Sequence, residues 1–140
     1  MRPHLPLFLH VLGAVGLCGA LATVALLSWR GRRAAPSAVL ASTAFWTLLV
    51  LATPSWLVLF IFGAWTKSRE RLPSDVGWLR IGSAIANAGV AVLLLATGSA
   101  YAWSRVPGRR SLATATGLLA SIYLAALAVA WWVMTAKVPR

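Results

Sequence analysis

Charge is missing from four long stretches of this chain, residues 3–29, 34–66, 81–104 and 111–136, of 27, 33, 24 and 26 residues. All 15 formal charges are confined to the 30 positions beside and between them. Crossing about 30 Å of hydrocarbon takes roughly 20 helical residues at about 1.5 Å each. Every stretch exceeds that length, and little of the 140-residue chain remains. Transmembrane helices are therefore expected over Leu5–Trp29, Ser37–Trp65, Trp78–Trp103 and Ser111–Ala136. The fold class is all-α: one transmembrane domain over 1–140, an up-down antiparallel four-helix bundle. A transmembrane β-barrel would need segments of about 10 residues alternating in polarity, and the sequence has none.

The charge that remains is nearly all of one sign: thirteen Lys or Arg against two acids, net +11. In a soluble chain this excess would suggest a nucleic-acid partner, whose contacts need cations arrayed along one backbone-tracking face. Here the cations sit in loops, so the expected partner is the lipid bilayer and no nucleic acid is expected. The face holding both termini carries Arg2, Lys67, Arg69, Arg71, Arg80, Lys137 and Arg140. The opposite face carries Arg30, Arg32, Arg33, Arg105, Arg109 and Arg110. Seven against six barely engages the positive-inside rule; the terminal amine adds a cation to the first set and tips the expectation to cytoplasmic termini in the cell inner membrane. Arg2, an apolar run and Ala20-Leu21-Ala22 mimic a signal peptide. The run continues to Trp29, however, and ends at Arg30-Gly31-Arg32-Arg33, so a retained helix is expected.

Small residues at helical spacing recur on the first, third and fourth spans: Gly13, Gly16 and Gly19; Gly82, Ala86 and Gly89; Gly117, Ser121, Ala125 and Ala128. In lipid, close backbone approach drives helix association. Thr53-Pro54 should disturb the second span, because proline removes a backbone hydrogen bond. Pro36, Pro73 and Pro107 punctuate the connections. Trp29, Trp65, Trp78, Trp103, Trp131 and Trp132 fall near span ends, where amphipathic rings favour the interface. Trp46 and Trp56 lie deeper and are expected to face the bundle or a bound apolar group.

Few side chains carry chemistry. Apart from Arg80 near one end, no charged residue lies within a span, whereas ion-coupled transporters bind their ion at one. There is no Ser/His/Asp set, no paired carboxylate and no metal-binding cluster, so the sequence leans away from an enzyme without deciding it. Glu70 and Asp75 share one loop as partners for Lys67, Arg69 and Arg71. Cys18 has no second cysteine to pair with and reads as a packing residue. His10 lies a turn inside the first helix with Gly13 on the same face. A histidine there could ligate haem iron, with the glycine leaving room for the macrocycle; Met134, on the same membrane side, is the candidate sixth ligand. Asn87, near mid-membrane in the third span, must find a partner in hydrocarbon, expected from a Ser or Thr of another helix. Pro54, Trp56 and Asn87 would outline a ligand cavity if the protein transports a small molecule or lipid.

The run Leu9-His10-Val11-Leu12-Gly13-Ala14-Val15-Gly16 resembles the opening helix of a superfamily of small four-helix bacterial membrane proteins. That superfamily includes the copper-resistance D family and the HemJ-type protoporphyrinogen oxidases. The resemblance covers chain length, four spans and the early histidine, and it implies haem binding at His10. The oxidases follow that histidine with a Trp and a Gly-rich segment leading to Tyr, Pro and Arg. Here the helix continues Leu17-Cys18-Gly19-Ala20-Leu21, which resembles the uncharacterised branch instead. The expected function is therefore a structural or accessory bundle packing as a homo-oligomer or within a larger membrane complex. The alternatives are a haem-binding redox protein using His10 and a small-molecule or lipid transporter.

Overall fold

A computed structural model of the chain describes residues 4–69 and 77–136. Glu70, Arg71, Pro73 and Asp75 lie outside the described residues, as do Arg2, Lys137 and Arg140. The elements in order are α1 (Leu5–Arg33), α2 (Ala38–Trp46), a π-helical segment (Thr47–Ala52), α3 (Thr53–Arg69), α4 (Gly77–Arg105) and α5 (Arg110–Ala136). Since α2, the π segment and α3 are continuous, the chain makes four long helices. Each is long and apolar enough to cross a membrane, with a best-window mean hydropathy between 1.8 and 2.1. The four-helix, all-α expectation is met.

The helices overrun the expected spans. α1 continues past Trp29 through Arg33, and the second span continues past Trp65 to Arg69. A helix has no reason to stop where hydrocarbon stops, and cations in its last turn complement the partial negative charge of its carbonyl end. The second span starts under a cap: Ser37 Oγ accepts from the Leu40 N–H at 3.4 Å, which satisfies a first-turn donor.

Thr53-Pro54 takes an unexpected form. The turn leading into it is wound wide, so that the Thr53 N–H reaches back to Leu48 O. The Thr53 hydroxyl donates to the same carbonyl at 2.9 Å. Proline has no N–H and its ring crowds the carbonyl four residues back. A π turn accommodates both within a continuous helix.

The helices close into a ring. α1 lies along α3 and along α5, α5 along α4, and α2 against α4; α3 touches α4 only briefly. Ten of the eighteen buried apolar side chains among the described residues are alanine. With so little side chain between them the backbones come close, and dispersion between backbones carries the association. Long apolar side chains point outward, among them Leu26, Val39, Leu94, Trp131 and Trp132, as lipid-facing surface requires.

Two tryptophans depart from expectation. Trp46 is 55% exposed, facing away from the bundle, with Phe45 edge-on to it at 5.4 Å; an indole ring needs no protein cover in an apolar medium. Trp103 is fully buried and lies against Gly31 of α1, so it closes one end of the bundle instead of joining an interfacial belt.

Candidate functional site

The lower halves of α1 and α3 meet along His10, Gly13 and Gly16, three residues apart on one face. His10 Nδ1 lies 2.7 Å from Leu59 O. A carbonyl only accepts, so Nδ1 carries the proton and Nε2 is the ring nitrogen left for another partner. The imidazole is seated over Gly63, where an added Cβ would lie 2.8 Å from Nδ1. At Gly13 a Cβ would meet Leu59 N at 2.6 Å and Ser55 O at 2.9 Å. The space beside Gly13 is therefore filled by the α3 backbone and is closed to a macrocycle.

Met134 is engaged elsewhere. Its methyl group packs against Gly82 of α4, while His10 is engaged with α3. The structure thus gives the two proposed axial ligands different partners. Among the described residues no three of His, Cys, Asp and Glu come together.

Trp56 and Asn87 are near neighbours, but only one faces inward. The Trp56 indole N–H donates to Ala86 O at 3.0 Å, tying α3 to α4, and its ring stacks on Phe60 at 5.1 Å. Beside it the Tyr123 hydroxyl is buried without a hydrogen-bond partner among the described residues, its ring wedged against Gly89. Asn87, in contrast, is exposed on the outer surface of α4. The interhelical bond expected for it is not made among the described residues, because its rotational position on α4 places it on the exposed face.

A pattern invisible in the sequence emerges from these contacts. Among the described residues each pair of adjacent spans is joined by an interhelical hydrogen bond from a side chain. His10 to Leu59 joins α1 to α3, and Trp56 to Ala86 joins α3 to α4. Ser99 and Thr116 hydroxyls, 2.9 Å apart, join α4 to α5. Trp29 Nε1 donates to Ser121 Oγ at 3.3 Å, joining α5 back to α1. Such bonds contribute on the order of 0.6 to 2 kcal/mol each in a membrane protein. They also fix the rotation of each helix, which uniform alanine packing leaves loose. The only advance signal for the Ser99–Thr116 pair was its polarity within apolar spans.

Set beside known proteins, the chain matches no family model, no curated protein and no solved structure.

Proposed function

We propose that the chain is an accessory bundle of the cell inner membrane that assembles with a second copy of itself, or within a larger membrane complex, through the outer face of α4. The observation that carries this reading is Asn87: an exposed amide about 10 Å inside an uncharged span, making no side-chain hydrogen bond among the described residues. An amide left in hydrocarbon without a partner costs several kcal/mol. Around it Ser83, Ala84, Ala88 and Ala91 are also exposed, giving a shallow surface that another helix can approach closely. A second copy is the simplest partner, since an amide both donates and accepts and two can pair across a two-fold axis.

The test is the molar mass of the detergent-solubilised protein, measured by light scattering over a dilution series. The native chain is expected to exceed its 14.9 kDa monomer mass, and Asn87→Leu to dissociate at about tenfold higher concentration. A native chain that stays monomeric at every concentration, with no cross-link formed in its own membranes, overturns the reading.

His10 favours one alternative. Its Nδ1–H is oriented by a carbonyl while Nε2 has no hydrogen-bond partner among the described residues, the arrangement that outer-shell bonds impose on metal-ligating histidines. If His10 is an axial haem ligand, the purified protein reconstituted with haem has a Soret band that His10→Ala abolishes. A folded protein that stays colourless rules this reading out, leaving the Leu59 bond as a purely structural clip.

A further inference from the structure

We infer that the arginine end of α1 holds a site for the phosphate of an anionic phospholipid, with Arg30 and Arg33 as its cationic walls. A groove of about 600 Å³ is lined there by Leu26, Trp29, Arg30, Arg33 and Ala34. Trp29 is its fixed wall. The indole N–H is held by Ser121, the ring lies 3.4 Å from where a Cβ on Gly117 would stand, and the Arg32 guanidinium sits 5.5 Å above the ring centre. Arg32 is thus occupied by the indole, leaving Arg30 and Arg33, three residues apart on one face, as the open cations.

Among the described residues these cations have no counter-ion. The sequence contains two acids, both in the connection between α3 and α4. The helix ends that flank them in sequence, Arg69 of α3 and Gly77 of α4, lie at the opposite end of the bundle, about 40 Å away by the helical rise of α4. Arg105, Arg109 and Arg110 share the end with Arg30, Arg32 and Arg33, so the described residues there supply six guanidinium groups and no carboxylate. Guanidinium forks match phosphate oxygens in geometry and charge, and cations beside a bilayer gain from anionic headgroups.

The occupant is a lipid because the groove opens along the outer face of α1 toward the hydrocarbon. Leu26, one turn below Arg30, is 72% exposed. Two turns further down, Gly19 has nothing within 4 Å of where its Cβ would be, leaving a lane in which an acyl chain can lie. A zwitterionic headgroup brings the same phosphate with a cation attached, which six arginines disfavour. The site therefore selects phosphatidylglycerol-type lipids over phosphatidylcholine.

The test uses the full chain and native mass spectrometry, with phosphatidylglycerol and phosphatidylcholine offered in equal amounts. The native protein should retain the anionic lipid about thirtyfold more tightly, and R30Q/R33Q should lose most of that preference. R30Q and R33Q singly should each lose about fivefold, which keeps the test open if the double variant misfolds. K67Q/R69Q, which removes two cations from the opposite end, should leave the preference intact. Equal retention of the two lipids by the native chain, or a preference that survives R30Q/R33Q, overturns the inference. Inorganic phosphate that blocks phosphatidylglycerol binding at equimolar concentration assigns the groove to a free anion and overturns it equally.

Discussion

Gly13→Ala is expected to destabilise the folded chain by about 3 kcal/mol, the upper part of the range for overpacking a tight interface. The added methyl would stand 2.6 Å from Leu59 N, 2.9 Å from Ser55 O and 3.0 Å from Leu59 Cα. All three are backbone atoms of α3, so no side chain can turn aside and relief requires α1 and α3 to separate. Separation would lengthen the 2.7 Å bond from His10 to Leu59 and open the contact of Gly16 with Ser55, whose Oγ lies 2.6 Å from a Cβ at Gly16. Reversible unfolding in mixed micelles of increasing SDS content measures the loss. A Gly13→Ala variant as stable as the native chain would show that α1 and α3 do not meet backbone to backbone.

Gly89→Ala is the second large effect, about 2 to 3 kcal/mol, and it arises from a different kind of obstacle. The new methyl would collide with the Tyr123 hydroxyl and ring. A phenol pivots only as a rigid plate, and this one is 2% exposed in the middle of the bundle. Gly82→Ala on the same helix is the contrasting case. Its methyl meets the Met134 methyl group, the end of a flexible chain that can swing away, so the loss should stay below about 1 kcal/mol. Tyr123→Leu should restore much of the stability lost in Gly89→Ala, because it removes the plate together with a buried hydroxyl that has no partner among the described residues. Equal unfolding curves for Gly82→Ala and Gly89→Ala would contradict the packing of Tyr123 against α4.

The number of spans was readable because exclusion of charge from hydrocarbon is a large, local effect that leaves uninterrupted stretches. Rotation about each helix axis was not. Every face of these spans is apolar, so an outward Leu94 and an inward Leu93 look alike in sequence, and the pattern cannot tell lipid from core. Asn87 shows the consequence: its depth could be counted from the ends of the span, but the direction of its side chain could not. Gly13 was legible as a small residue and not as a contact with α3, since that contact depends on which helix lies alongside. His10 was singled out as a possible ligand, yet its Leu59 partner lies 49 residues away and is a main-chain atom, which no side-chain motif records.

The π turn at Thr47–Ala52 gives the second span a phase. Each residue of an α-helix advances the side chain direction by about 100°, and the wide turn inserts an offset that Pro54 then carries into all of α3. The surface that α2 turns to α4 is therefore not continued by α3, which turns its own surface to α1. A single deletion within the six residues would cancel the offset and rotate everything downstream, including Leu59 and Gly63, away from His10. The two halves of one membrane crossing thus answer to different neighbours, and the six residues between them set the angle at which they do so.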